Sequence, residues 1–331
     1  MRFLIRSIFL LTLLLAGVAT AAWWWANAPL AMRGSPVDFR ITPGVGLRSA
    51  ATQIQAAGVD LEPGLIVLLA RIKGAETAIK AGSYSITRGI TPLQLLAKMT
   101  RGEVTQGELM LPEGWSFRQW RARIDQHPNL QHLTANLSEA ELLAKLAIPA
   151  ASIEGLLFPD TYLFDKHSTD LELYGRAYRA MQSRLEAAWA QRAAGLPYKT
   201  PYEALVMASI IEKETGRDSD RPMIASVFVN RLRSGMLLQT DPTVIYGLGT
   251  TFDGNLRKRH LQSDTPYNTY TRPGLPPSPI AMPGMASIQA ALNPAQSESL
   301  YFVARGDGSS QFSRTLDEHN RAVNKYQRGT K

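Results

Sequence analysis

The sequence predicts an α+β protein with an N-terminal transmembrane helix, a small α+β part, and a larger, mostly helical part with a small sheet and long loops. Three observations support this fold class. The segment Ile8–Ala26 contains only two polar residues, Thr12 and Thr20. A strand-like alternation, a Pro/Gly turn and a helical spacing then follow one another three times. Beyond Leu133 the spacing is mostly helical, and 331 residues suffice for two domains.

The apolar N-terminal segment predicts a membrane anchor. At 1.5 Å rise per residue, its roughly 19 residues nearly span a hydrocarbon core about 30 Å thick. Arg2 and Arg6 precede it, so the positive-inside rule leaves the N-terminus in the cytoplasm and exports the rest. Trp23-Trp24-Trp25 at its end suits a membrane–water interface. The alternative is a cleaved signal peptide, because Ala19-Thr20-Ala21 resembles a small-residue cleavage site.

Composition narrows the partners and the chemistry. The formal charge is +8 and the pI about 9.7, which favours anionic partners. An exported chain does not meet nucleic acid, so anionic lipid or an acidic cell-envelope polymer is the expected partner. The absence of cysteine excludes disulfides, thiolate metal sites and a cysteine nucleophile.

The repeated strand–turn–helix pattern defines the next part of the chain. Its three copies are Val37–Ile41 with Leu47–Ala57, Ser83–Thr87 with Leu93–Thr100, and Glu108–Leu111 with Ser116–Ile124. Residues Val37–Thr100 resemble LysM-like modules, which bind N-acetyl-sugar polymers. The predicted organisation is a cytoplasmic N-terminus and anchor (1–27), a linker (28–36), a LysM-like subdomain (37–105) and a larger domain (106–331), which contains the candidate catalytic residues described below.

The remaining elements are mostly helices. Helical spacing covers Ser138–Leu146, Asp170–Gly195, Tyr202–Thr215, Arg217–Arg233 and Ala286–Leu292, and Thr315 caps a last helix through Tyr326. Leu300–Ala304 and Ser310–Phe312 form a predicted hairpin around a Gly-Asp-Gly turn. Gln239–Pro283 is rich in Gly, Pro, Thr, Asn and Tyr and is predicted as a long loop region. Loops of this length in a compact domain are usually functional.

Two carboxylates at the end of an apolar helix are the candidates for chemistry. Tyr202–Ile211 is apolar all round, which predicts a buried helix, and Glu212 and Glu214 follow it. A carboxyl group kept partly out of water has a raised pKa and can hold a proton to donate. The helical wheel places Glu212 with Leu205 and Ala208, and Glu214 on nearly the opposite side. Spacing alone does not choose between them.

The alternative to catalysis is that these carboxylates form ion pairs. Arg217, Arg221 and Lys213 are the nearby cations in the sequence. An acidic side chain at the end of a buried helix is costly unless something pairs or uses it. Both interpretations therefore explain the two glutamates.

The loop region offers the groups of a sugar site. Gln239–Thr243 and Tyr267–Tyr270 supply amides, hydroxyls and aromatic faces, although turn chemistry explains each segment as well. Asp241 or Asp253 could supply the second carboxylate that glycosidases commonly use.

Other chemistries lack their signatures. The five histidines are scattered, and none has the spacing of a zinc site. There is no G-x-S-x-G elbow and no phosphate-binding glycine loop. No metal and no cofactor are predicted.

Several long motifs resemble one family. They are Met207–Thr215, Ile224–Leu232, Leu238–Gly247, Pro266–Tyr270, Gly274–Ile280, Glu154–Tyr162 and Leu300–Val303. Together they resemble the MltG/YceG-like endolytic murein transglycosylases, over essentially the whole chain, with the first hundred residues matching more loosely.

This resemblance implies a function. In that family the first Glu of the Glu-Lys-Glu-Thr run is the catalytic acid/base, which falls on Glu212. The family cleaves the β-1,4 bond between N-acetylmuramic acid and N-acetylglucosamine in nascent peptidoglycan without water, which leaves a 1,6-anhydro end and limits strand length. A second carboxylate is then not needed. Gln239, Tyr267 and Asn268 are predicted substrate contacts, and Asp241 is predicted to orient the motif or stabilise the oxocarbenium-like charge.

The resemblance also implies an inner-membrane location and peptidoglycan synthases as partners. Two alternatives remain open. One is a muramidase that uses water, with Asp241 or Asp253 as partner of Glu212. The other is a non-catalytic scaffold that holds glycan through its LysM-like region.

Overall fold

A computed structural model describes residues 2–166 and 168–329, so Met1, His167, Thr330 and Lys331, which belong to the predicted 1–27 and 106–331 segments, lie outside the described residues. The described chain is a mixed α+β protein with an N-terminal apolar helix, as predicted. Its helices are α1 Arg2–Asn27, α2 Leu47–Ala56, α3 Pro63–Ile72, α4 Pro92–Arg101, α5 Phe117–Asp125, α6 Glu139–Lys145, α7 Asp170–Ala190, α8 Pro201–Glu214, α9 Arg221–Arg233, α10 Asp241–Leu248, α11 Lys258–Gln262, α12 Met285–Leu292 and α13 Leu316–Val323.

The strands are short and form two-stranded sheets. They are β1 Val37–Ile41, β2 Gly82–Ile86, β3 Gln106–Leu111, β4 Asp160–Asp165, β5 Tyr301–Ala304 and β6 Ser310–Ser313. The pairs are β1 with β2, β3 with β4, and β5 with β6. The chain divides into two compact units, unit 1 (1–108 and 163–168) and unit 2 (109–162 and 169–331).

Unit 1 is built on the antiparallel pair β1–β2, in which Val37 lies opposite Ile86 and Ile41 opposite Gly82. Its apolar residues alternate along β1, so that one face of the strand is buried under α2, α3 and α4. Helix α4 begins as its sequence predicts, because the side chain of Thr91 accepts a hydrogen bond from the Gln94 N–H and Pro92 follows in the first turn.

Helix α1 is long and apolar enough to cross a membrane over Ile5–Asn27, although N-terminal signal sequences share this length and composition. Its last turn belongs to unit 1, where Ala26 is buried and Trp25 packs on the core. The predicted linker 28–36 is also attached there. Leu30 is buried and donates its N–H to the Ile90 carbonyl at 2.8 Å, and the Ala31 carbonyl accepts from the Asp60 N–H at 2.8 Å.

Unit 2 surrounds the buried helix α8. Helices α7, α9, α10 and α12 pack against it, and α13 covers the hairpin β5–β6. The predicted single helix over 217–233 is instead a 3₁₀ turn, Asp218–Asp220, followed by α9.

The prediction of an unstructured 239–283 region is wrong in part. It contains α10, α11 and a further 3₁₀ turn at Gly249–Thr251. Asp241-Pro242 begins α10, because proline in the first helical turn has no N–H that needs an intrahelical partner.

Candidate active site

Helix α8 carries both candidate carboxylates at its C-terminal end. Thr200 caps its start by accepting a hydrogen bond from the Glu203 N–H at 3.2 Å. Eight consecutive residues, Ala204–Ile211, are buried, as the all-round apolar pattern predicts. Glu212 and Glu214 follow in the last turn and bind different partners.

The carboxylate of Glu212 lies at the N-terminus of α12. Its Oε2 accepts the Gly284 N–H at 3.0 Å and the Ser287 hydroxyl at 2.7 Å. Gly284 is the cap residue of α12, and a helix N-terminus favours negative charge because its N–H groups lack intrahelical partners. The side chain is only 5% exposed. Glu212 is therefore held in one orientation.

Arg221 is the cation beside Glu212. Its Nη2 lies 3.7 Å from Oε1 of Glu212, its Nε donates to the Ser287 hydroxyl at 3.1 Å, and it also pairs with Asp218. The ion pair that the sequence left open is therefore present, through Arg221. At 3.7 Å it is not a hydrogen bond, so within the described chain Oε1 of Glu212 has no hydrogen-bond donor.

A turn that the sequence did not link to this site borders Glu212. An ideal Cβ built on Gly114 would lie 3.8 Å from both Cγ and Oε1 of Glu212. The turn is fixed by backbone bonds, since the Gly114 N–H donates to the Met282 carbonyl at 2.8 Å. Lys213 donates to the Gly114 carbonyl at 3.0 Å. Met282 and Lys213, the neighbour of Glu212 in α8, thus hold this turn next to Glu212.

Glu113, in the same turn, is a second carboxylate at the site. An ideal Cβ on Gly284 would lie 1.7 Å from Oε2 of Glu113, so that carboxylate occupies the space above Gly284. Burial and the charge of Glu212 raise the pKa of Glu113, and Arg221 partly offsets this. The sequence showed Pro112-Glu113-Gly114 only as a turn.

A cleft of ≈ 750 Å³ begins at Gly114 and Lys213. Aromatic rings line it together with polar side chains: Phe117, Tyr246, Phe252 and Tyr267, with Ser116, Gln119, Glu139 and Glu154. Tyr246 and Tyr267 meet edge to face at 4.9 Å between ring centroids, and the Tyr267 hydroxyl is 2.7 Å from that of Ser278. The cleft therefore combines flat apolar faces with hydrogen-bonding groups.

Glu154 is a buried carboxyl in the wall of this cleft. It accepts the Phe117 N–H at the start of α5, at 2.9 and 3.1 Å to its two oxygens, and the Tyr246 hydroxyl at 3.2 Å. Burial nevertheless outweighs these bonds and raises the pKa of Glu154 to about 7. The sequence included Glu154 in a motif without giving it a role.

Glu214 points away from Glu212 and accepts a hydrogen bond from the Thr240 hydroxyl. Burial raises the pKa of Glu214 to about 7, against the opposing effects of Thr240 and Arg231. Thr240 is the residue before α10. Glu214 therefore connects the end of α8 to the start of α10.

The three predicted substrate contacts differ in their exposure and in whether they line the cleft. Tyr267 lines the cleft, whereas Gln239 is exposed, with φ of 49°, next to Thr240. Asn268 is fully buried, and its amide donates to three backbone carbonyls, those of His260, Leu261 and Ser263. Asn268 thus organises its own loop. Contact of Gln239 and Asn268 with a substrate stays a prediction.

The two aspartates considered as second carboxylates are already engaged. Asp241 accepts the Tyr270 hydroxyl at 2.5 Å. Asp253 pairs with Arg257 at 2.6 Å on the surface. Its hydrogen bonds with Arg257 and with the Asn255 N–H lower the pKa of Asp253. Neither has a described contact with Glu212.

One group of side chains could hold a metal ion by distance. The ligand atoms of Asp125, His132 and Asp170 lie within 4.8 Å of one another. Asp170, however, already accepts the Leu133 N–H and both the N–H and hydroxyl of Thr134. The oxygens of Asp170 are therefore engaged in hydrogen bonds that stabilise the fold, and we assign no metal site to this group.

Comparison with known proteins identifies the family. Residues 39–325 match the YceG-like family, and the chain belongs to it. The chain is 33% identical over 308 residues to the endolytic murein transglycosylase of Bacillus subtilis strain 168, which covers 88% of this chain and 84% of that protein. It is 28% identical over 321 residues to the endolytic murein transglycosylase of Streptococcus pneumoniae D39, which covers 87% of this chain and 58% of that protein.

A solved structure has the same fold. The crystal structure of a YceG-like protein from Listeria monocytogenes superposes with a TM-score of 0.54 at 30% identity, and covers 86% of this chain and 98% of that chain.

Proposed function

We propose that this chain cleaves the β-1,4 bond between N-acetylmuramic acid and N-acetylglucosamine inside nascent peptidoglycan strands, with Glu212 as the acid/base. The products carry 1,6-anhydro-muramoyl ends, and the cleavage limits strand length. Family membership and the names of the relatives support the general activity: the chain is a lyase-type enzyme that cleaves peptidoglycan.

The observation that carries the residue assignment is the setting of Glu212. One oxygen is fixed by Gly284 and Ser287, while the other faces Gly114 and has no hydrogen-bond donor in the described chain. A general acid must present one oxygen to the leaving group in a fixed direction. Glu214 is occupied by Thr240 on another side of the helix, which supports Glu212 over Glu214.

The reaction needs one carboxyl group used twice. Oε1 of Glu212 first donates its proton to the glycosidic oxygen as the C1–O4 bond breaks. Positive charge then develops on the muramoyl C1 and ring oxygen, near the carboxylate that has just lost its proton. Glu212 finally accepts the proton of the muramoyl C6 hydroxyl as that oxygen bonds to C1. Water is not consumed.

The cleft beside Gly114 suits the rest of the strand. Pyranose rings pack on flat apolar surfaces, and their hydroxyl and N-acetyl groups need hydrogen-bond partners. Tyr246 and Tyr267 offer the first, and Gln119 and Ser116 the second. We assign this cleft to the sugar units that extend from the cleaved bond.

The test compares the end groups released by purified protein. Glu212→Gln keeps the shape of the side chain and removes its proton, so release of anhydro-ended fragments from isolated peptidoglycan should fall by about 10²-fold or more. Mass spectrometry separates an anhydro end from a reducing end by one water, which also tests the muramidase alternative. Glu214→Gln is the matched control. Wild-type rates in Glu212→Gln would refute the assignment.

Location and binding partners complete the proposal. The apolar α1 supports a single-pass anchor in the inner membrane, with Arg2 and Arg6 in the cytoplasm and both units outside. The chain has no cysteine, so a cysteine introduced at Glu298 should react with a membrane-impermeant maleimide in spheroplasts, and one at Phe3, before the span Ile5–Asn27, should not. Equal labelling at both positions would refute this topology.

Glycan binding by the LysM-like region 37–105 and contact with peptidoglycan synthases are part of the same proposal. Two helices between the paired strands β1 and β2 support a compact binding module. Deleting 37–105 should weaken binding of purified protein to isolated peptidoglycan by sedimentation, and unchanged binding would refute a role in glycan binding. For synthases, cross-linking in cells should recover a synthase with this chain, and recovery of none would remove that partner.

A further inference from the structure

We propose that Glu113 and Glu212 form one carboxylate pair that holds a single proton, and that Glu113 is the positioning residue which keeps this proton at the site for Glu212 to deliver. The inference rests on the proposed function and deepens it. It concerns a residue in a turn that neither the sequence motifs nor the proposed mechanism uses.

The two carboxylates meet at Gly284. Oε2 of Glu212 accepts the Gly284 N–H at 3.0 Å, and Oε2 of Glu113 lies 1.7 Å from the position of an ideal Cβ on the same residue. Only glycine leaves room for both groups. The φ of Gly284 is −78°, so its backbone does not require glycine, and the close approach of Glu113 is the structural reason for it.

The surroundings fix Glu113 without neutralising it. Its turn is held by the bond from Gly114 to Met282 and by the Trp120 indole N–H, which donates to the Pro112 carbonyl at 2.9 Å. The Glu113 residue itself is exposed to solvent. Glu113 can therefore act on Glu212 without leaving its place.

The charges that face the pair come from three elements. Arg221 on α9 faces both carboxylates, and its own charge is shared with Asp218. Lys213 on α8 is bound to the Gly114 carbonyl, and α12 contributes Ser287 and backbone N–H groups. One buried arginine thus faces two carboxylates, a balance that favours one proton on the pair.

The proton balance of the reaction closes with this pair. The pair gives its proton to the glycosidic oxygen as the C1–O4 bond breaks. The C6 oxygen then bonds to C1, and its proton returns to the pair. Neither a net proton nor water is taken up, and the pair is ready for the next bond.

The experiment is the pH profile of cleavage by the purified full chain on isolated peptidoglycan. Removing the charge of Glu113 lowers the affinity of the site for its proton, so Glu113→Gln should lose activity at lower pH than wild type. We expect the alkaline limb to move down by about one pH unit, with about tenfold less activity at pH 8 and little change at pH 5. Glu298→Gln, which changes an exposed carboxylate that pairs with exposed Arg314, is the control with the same charge change.

Gly284→Ala provides a second, independent variant. The added methyl group displaces the flexible end of Glu113 without backbone strain, and should shift the same limb in the same direction while Glu113 is intact. A uniform loss of activity at all pH values in both variants would mean a structural role and overturn the proposal. Wild-type profiles in both would also overturn it, while the function assigned to Glu212 would stand. If Glu212→Gln itself cleaves at the wild-type rate, the proposed function fails instead.

Discussion

Replacing the buried Glu154 by glutamine should remove a pH-dependent loss of stability. Burial raises the pKa of Glu154 from its ordinary 4.5 to about 7 in the folded chain. The folded form therefore binds the proton more tightly than the unfolded form. The stability that this tighter proton binding contributes is complete below the pKa of Glu154 in the unfolded chain, about 4.5. It is lost as pH rises through the pKa in the folded chain, about 7.

The size of this effect follows from the shift in pKa. A shift of about 2.5 units at about 1.4 kcal/mol per unit is about 3 kcal/mol, of which about 2.5 kcal/mol is lost between pH 5 and pH 8. For a folding unit of the size of unit 2, a change of 1 kcal/mol in the free energy of unfolding moves Tm by roughly 2–4 °C. The Tm of wild type should therefore fall about 5–10 °C more than that of Glu154→Gln over this range.

The assay is thermal unfolding of the full chain in detergent at pH 5, 6, 7 and 8. Glutamine keeps an acceptor for the Phe117 N–H and does not titrate. Other groups, Glu214 among them, titrate in both proteins and cancel in the difference. Glu298→Gln is the control, and its Tm should follow wild type. Parallel curves for wild type and Glu154→Gln would show that burial does not hold a proton on this carboxyl.

Three further changes test other parts of unit 2. Gly155→Ala should lower the free energy of unfolding by about 2–5 kcal/mol, measured with denaturant, because Gly155 has φ of +77° and its new Cβ would lie 2.3 Å from Pro279. Glu214→Gln keeps an acceptor for Thr240 and removes a buried charge, so its Tm at pH 8 should equal or exceed that of wild type, with cleavage within about threefold. Tyr267→Ala should raise KM for glycan about tenfold by removing an aromatic face of the cleft, while Tyr267→Phe should not.

Each of these predictions has its own control or contrary result. Gly216→Ala adds a methyl group into open space and should leave stability within about 0.5 kcal/mol. A loss of cleavage above about 100-fold in Glu214→Gln would mean that Glu214, and not Glu212 alone, takes part in the chemistry. Equal KM values for the two Tyr267 variants and wild type would remove this ring from the substrate site.

The buried helix and its carboxylates could be predicted because their signals are local. The apolar run Tyr202–Ile211 allows only an interior helix, and Thr200-Pro201 marks its start. The three strand–turn–helix segments were also confirmed, as β1–α2, β2–α4 and β3–α5. In these segments periodicity, caps and turns all specify the same elements.

Glu113 could not be found from the sequence, because what defines it is distant in the chain. It lies in a Pro-Glu-Gly turn, and its neighbours Glu212 and Gly284 are brought to it only by the packing of α8 and α12. Helix α3 was missed although Glu62 caps it and Pro63 begins it. Helix α10 was missed because Asp241-Pro242 also suits a turn, and because the side chain of Thr240, the residue before it, does not cap the helix but bonds to Glu214 instead.

The attachment of residues 28–36 to unit 1 has a mechanical consequence. A free tether of nine residues would let its ends wander over about 15–18 Å. Here Leu30 and Ala31 are bonded to Ile90 and Asp60, so this slack is absent. Any tilt or rotation of α1 is therefore passed on to unit 1. If α1 spans a bilayer as proposed, a protein that binds α1 there would also set the orientation of unit 1.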